Sequence, residues 1–301
     1  MQRQNWAQCC VDEQTRITSG ALTAIIAHHG AELQSLTDGQ GRELMSDGNP
    51  AFWGGRAPLL FPIVGRLNDD TLRLGDRAYA MQKHGFARKS DFSLTDVSDS
   101  AALFRLCDSA ESRAHFPFAF ELDAHFRLTK ATLHKTVTVR NIGDGDLPFS
   151  FGYHPAFAWP LPFDCARDAH QICFECDEPA SLARVTPYGT IGPDTVPTPV
   201  AGNLIALRDS LFDDDALVWR DLNSSSLVYG APGFPQLDIG FPDTPNLGIW
   251  TKPGAAFICI EPWAGIADLE GYRGDFRDKP GVMTLAPGDE RCFRMKITLT
   301  A

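Results

Sequence analysis

The 301-residue sequence predicts an all-β fold, and three observations carry that prediction. Several segments alternate apolar and polar residues with period two. Most windows long enough for a helix are interrupted by the 26 Gly and 21 Pro. No long, capped amphipathic helix is evident.

The clearest strand is Phe120-Glu-Leu-Asp-Ala-His-Phe-Arg-Leu128, whose unbroken alternation puts apolar and polar residues on opposite faces. Leu133-His-Lys-Thr-Val-Thr-Val-Arg140 follows after a short connection, and Asn141-Ile-Gly-Asp-Gly-Asp146 supplies turn residues that tolerate positive φ, so a β-meander is expected. Near the C-terminus, Pro287-Gly288-Asp289 reads as a turn into a strand carrying Phe293, Met295, Ile297 and Leu299 on one face. Residues 247–251 and 256–260 flank Lys252-Pro253-Gly254 and read as a hairpin whose second strand is apolar on both faces. In a tight version of that hairpin Trp250 lies opposite Phe257, far from the level of Glu261, and is expected in the core or at a rim. The Pro-rich span from Trp159 to Leu207 has no clear period and is expected to form long loops around a site.

Nothing in the composition splits the chain, so residues 1–301 are expected to form one domain; 44% apolar residues, with 20 Phe and 6 Trp, suffice for a large core. The formal charge of −11 disfavours nucleic acid and anionic membrane surfaces as partners and leaves small molecules as the expected ligands. Residues 1–10 lack the apolar stretch of a signal peptide, no segment approaches a membrane span, and the eight scattered cysteines read as reduced thiols, so a cytoplasmic location is expected. His170-x2-Cys173-x2-Cys176 offers three possible metal ligands without the second pair a zinc site needs, and ordinary strand residues are the simpler reading.

Three clusters set a titratable residue among apolar or turn-forming neighbours. The first joins Ala57-Pro-Leu-Leu-Phe-Pro-Ile-Val-Gly-Arg66 to His84-Gly-Phe-Ala-Arg88, with glycines beside Arg66 and His84 that allow close approach of backbone or ligand. The second is Gly152-Tyr-His154-Pro155, where the proline imposes extended geometry on the histidine. In the third, Phe257-Ile-Cys-Ile-Glu261-Pro262-Trp263, a carboxylate closes an apolar run, and desolvation there raises its pKa toward the range of a general base. Each also has a plain structural reading: an ion-pairing arginine, a turn histidine, or a buried glutamate paired to an arginine. Nucleotide-binding loops, a Gly-x-Ser-x-Gly elbow and His-Glu-x-x-His are absent from the sequence.

Taken in order, Gly30-Ala-Glu-Leu33, Leu59-Leu-Phe-Pro-Ile-Val-Gly-Arg66, His84-Gly-Phe-Ala-Arg88, Gly152-Tyr-His154-Pro-Ala-Phe157, Glu261-Pro-Trp263 and Leu285-Ala-Pro-Gly288 resemble the aldose 1-epimerase (galactose mutarotase) family, and within it the shorter LacX-like branch. The resemblance implies a large antiparallel β-supersandwich that interconverts hexose anomers without cofactor or metal, as a monomer or homodimer. It implies Glu261 as general base, His154 as general acid, and Arg66, His84 and Asp215 as sugar-binding residues, with Asp213 and Asp214 competing for the last place. Trp263 is the expected platform for the sugar ring. The chain departs from the family after its His-Pro pair, with Ala156-Phe157-Ala158, which leaves the sugar open. A phosphorylated hexose captured by Arg88, Arg56 or Lys83 and a non-catalytic sugar-binding role are the alternatives.

Overall fold

In the computed structural model, which describes residues 14–300, two large antiparallel sheets face each other. The nine-stranded sheet is centred on Phe120–Thr129, Thr132–Asn141 and Glu290–Thr300. These are the expected meander and terminal strand, paired Val137 to Ala124 on one side and Val137 to Phe293 on the other. The eight-stranded sheet runs through Leu217–Trp219, Asn246–Trp250, Phe257–Ala264 and Phe151–Tyr153 to Leu59–Leu60. A β-supersandwich results, with a single six-residue α-helix, Ala110–His115, among the described residues.

The core between the sheets follows from strand alternation. Phe120, Phe126, Val137 and Phe293 point inward from the larger sheet and meet Phe151, Tyr153, Ile258 and Ile260 from the smaller one, all fully buried. Tyr153 ties the layers by donating its hydroxyl to the carbonyl of Phe293 at 2.7 Å. Because Ile258, Ile260 and Ala264 enter this core, Phe257, Cys259, Glu261 and Trp263 face the other side of the smaller sheet.

The structure corrects two expectations. The 247–260 hairpin is looser than a tight turn: Trp250 pairs with Cys259 and Gly248 with Glu261, which slides Trp250 two residues toward the glutamate. The span 159–207 holds four short strands, Gln171–Phe174, Leu182–Val185, Ile191–Val196 and Leu204–Ala206, and the segment between the second and third borders a cavity. The amino-terminal reading and Cys9 and Cys10 lie outside the described residues. No described helix is long and apolar enough to cross a membrane.

Candidate active site

A cavity of about 690 Å³ opens on the outer face of the eight-stranded sheet. Its floor is built by strand register. Across three neighbouring strands Val218 pairs with Gly248 and Gly248 with Glu261, so a small aliphatic surface leads to the carboxylate. Trp263 has room for its indole beside it because Gly152, its partner on one side, and Gly248, diagonal to it on the other, lack side chains: a Cβ on either would come within 2.6 Å of the indole.

The same register brings the histidine in. Gly152 pairs with Trp263 and Ala156 with Cys259, so the intervening His154 stands across from Glu261. Their contact is His154 Nε2 to Glu261 Oε2 at 3.1 Å, with both side chains buried. Burial, and after it the charges of Lys83 and Arg88, depresses the imidazole to about 3. Burial, reinforced by Asp215, holds the Glu261 carboxyl well above its ordinary value in spite of Lys83. Both directions favour the uncharged pair, with the shared proton on the carboxyl and the imidazole nitrogen facing it unprotonated.

His84 sits edge-on to His154, with ring centroids 5.6 Å apart. Its Nδ1 accepts from the Gly65 amide at 3.1 Å, which fixes the neutral tautomer and leaves Nε2–H as a donor. Burial keeps it uncharged. The expected close approach around the two glycines is present: a Cβ on Gly65 would meet Ala267 Cβ at 2.4 Å, and one on Gly85 would meet the Phe61 carbonyl oxygen at 2.2 Å. Both glycines have positive φ, so these turns admit no other residue without strain.

Trp53 is the residue the sequence reading passed over. It stacks on His154, with centroids 4.8 Å apart and planes at 23°, and meets Trp250 edge-on at 5.9 Å. Trp250 therefore lines the cavity, which corrects the expectation of core or rim. An aromatic pair followed by Gly54-Gly55 was the available signal, since Gly55 has no Cβ to obstruct the indole that lies over it. Removing Trp53 unburies His154, which relieves desolvation and raises its pKa. In Trp53→Ala the acid limb of activity should move to higher pH, whereas Trp53→Phe should keep it in place; pH profiles of kcat/KM check this.

The remaining predicted residues divide. Asp213, Asp214 and Asp215 all border the cavity, and Asp215 is the one whose charge acts on Glu261. Arg66 does not line it: the guanidinium lies against Asp70 at 3.1 Å and donates to the Tyr188 carbonyl at 3.2 Å, because Gly65 turns the chain and sends the next side chain outward. Arg56 is likewise withdrawn, donating to the carbonyls of Gln34, Ser46 and Asp47. Lys83 and Arg88 do line the cavity, and neither has a carboxylate partner among the described residues. His170 spends both ring nitrogens on the backbone of Leu161 and Ala166 and does not converge with Cys173 and Cys176.

The profile of the aldose 1-epimerase family matches residues 13–191. The chain is also 30% identical to the chromosomally encoded protein LacX of Lactococcus lactis subsp. lactis over 288 residues, 92% of this chain and 96% of that one. It belongs to the aldose 1-epimerase family. Among family structures, a galactose mutarotase related enzyme from Lactobacillus acidophilus superposes with a TM-score of 0.87 at 31% identity, over 96% of this chain and 97% of that chain. A galactose mutarotase-like protein from Lactobacillus casei gives 0.89 at 32% identity, over 95% and 100%. Membership in the aldose 1-epimerase family supports a sugar-epimerase role, and the fold is that of the galactose mutarotase-like structures.

Proposed function

We propose that the chain is a mutarotase that interconverts the α and β anomers of a hexose at the Glu261–His154 pair. One observation carries the reading: a buried carboxyl and imidazole 3.1 Å apart at the floor of an open cavity. The anomeric hydroxyl oxygen and the ring oxygen are both bonded to C1, so two adjacent groups can serve both.

The hemiacetal displaces the direct contact between the pair. Glu261 takes the proton of the anomeric hydroxyl while His154 Nε2–H gives a proton to the ring oxygen, the C1–O5 bond breaks, and the aldehyde forms. Rotation about C1–C2 presents the opposite carbonyl face, and the reverse transfers close the ring. The shifts favour the shared proton on Glu261, so the reactive form is the one in which it has passed across the 3.1 Å contact to His154 Nε2, leaving Glu261 as acceptor and His154 as donor; the reverse transfers restore that form at the end of each cycle. His84 Nε2–H, Asp215 and the cavity's other polar groups bind hydroxyls, and Trp263 covers the C–H face of the sugar ring. Anomer exchange of freshly dissolved glucose and galactose, followed by polarimetry or NMR, tests the reading; no acceleration on any sugar would sink it.

A second reading, a hexose phosphate as substrate, is favoured by Lys83 and Arg88. Neither forms a salt bridge with a carboxylate among the described residues, although the charge of Glu32 acts on Arg88, and the buried Arg88 Nε has no hydrogen-bond partner there. Charge-assisted bonds to a phosphate contribute about 1.5–3 kcal/mol each, so Arg88→Ala should raise KM for hexose 6-phosphate roughly 10- to 100-fold and change KM for the neutral sugar little. Equal effects on both substrates would remove the phosphate reading.

A further inference from the structure

Glu261 has a neighbour that ring opening does not use. Cys259 lies two residues before it on the same face of Phe257–Ala264 and pairs with Ala156, two residues after His154. The ligand-capable atoms of His154, Cys259 and Glu261 all lie within 4.8 Å of one another, and all three residues are buried. An imidazole nitrogen, a thiol sulfur and a carboxylate oxygen so placed are the donor types of an open zinc-type site.

We infer that His154, Cys259 and Glu261 form a binding site for a thiophilic divalent cation, Zn2+ or Cd2+, and that the metal-bound protein cannot open a sugar ring. With zinc–ligand bonds of about 2.0–2.3 Å, neighbouring donors in a tetrahedral site stand about 3.3–3.8 Å apart, so side-chain rotations suffice to close the set. The fourth position faces the cavity, because Glu261 and His154 line it and Cys259 lies behind them. Mg2+ and Ca2+ are excluded by the sulfur and by the single carboxylate. Lys83 and Arg88 oppose a cation here, while Asp215 across the cavity favours it. Once bound, the metal takes the lone pairs that would accept and relay the sugar's protons.

The site rests on side-chain geometry; only its inhibitory consequence rests on the mutarotase reading. Cadmium titration of the full chain, read through the ultraviolet sulfur-to-cadmium charge-transfer band, separates the two. Wild type is expected to bind one equivalent more than Cys259→Ser, and His154→Asn is expected to weaken that equivalent at least about tenfold without touching the other thiols. Cys259→Ala serves if the serine variant fails to fold. In anomer exchange, Zn2+ should inhibit wild type at least about tenfold more strongly than Cys259→Ser, whose metal-free rate stays within about twofold of wild type. Equal cadmium equivalents in wild type and the cysteine variants, or unchanged affinity in His154→Asn, would overturn the site. Absence of sugar turnover would sink the mutarotase reading and leave the cadmium result to decide the site by itself.

Discussion

Glu261→Gln should lower kcat for anomer exchange by about 10²–10⁴-fold while leaving KM within a few-fold of wild type. The amide keeps the volume and still accepts a hydrogen bond from the anomeric hydroxyl, so binding survives. What it loses is the ability to take the proton, which matters only as the ring opens. The substitution also has a signature in stability. The folded carboxyl titrates well above its ordinary value because it is buried, so the wild-type protein is favoured while the group is protonated. That contribution is complete below the unfolded value and is lost as pH rises through the folded one. Glutamine does not titrate. The melting temperature of Glu261→Gln should therefore gain on wild type as pH rises from the ordinary carboxylate range, and a difference independent of pH would show that Glu261 is already ionised in the fold.

His154→Asn should cost a comparable factor, about 10²–10⁴ in kcat, since asparagine gives no proton to the ring oxygen. Because the two groups share one proton across 3.1 Å, they act as a unit, and the double variant should be little worse than either single one. Multiplying losses would mean that the two work at separate steps. The pair's electrostatics also set the pH profile. With the imidazole depressed to about 3 by burial and by Lys83 and Arg88, a second proton enters only in strong acid. Activity should hold through the region near 6.5 where an ordinary histidine titrates, and should fall on the alkaline side as the raised Glu261 carboxyl loses the pair's last proton. A limb centred near 6.5 would show that His154 is solvated in the working enzyme.

The family profile ends at residue 191, before Glu261. The assignment of the carboxylate therefore depends on the fold that joins the carboxy-terminal hairpin to the Phe151–Ala158 segment. That join is made by the core: Ile258 and Ile260 are buried against the facing sheet, which obliges Glu261 to face outward. A substitution that reversed this alternation would bury the carboxyl between the sheets, away from the cavity and from His154.

Much of this protein follows from local rules that act along the chain. Period-two alternation specified the meander and the terminal strand because one face of each is buried and the other wet. The apolar run ahead of Glu261 foretold a desolvated carboxyl, since burial of that strand on both faces was written in its composition. The order of the motifs carried the family. Distances across strands were not written there. Whether Trp250 stands by Phe257 or Cys259 depends on how many residues the 251–256 connection absorbs, and that is settled by packing, not by the turn residues themselves. Arg66 and Arg88 look alike in sequence, each beside a glycine-containing turn, yet one side chain is sent toward Asp70 and the other toward the cavity by backbone angles that neighbours impose. Trp53 reaches His154 from a segment about a hundred residues earlier, so the Phe52-Trp53-Gly54-Gly55 pattern can mark the indole but not the partner it meets. Sequence determined which groups are desolvated and in which kind of element, because burial periodicity is local; only the tertiary structure decided which of them meet, because register and loop geometry are properties of the whole packed core.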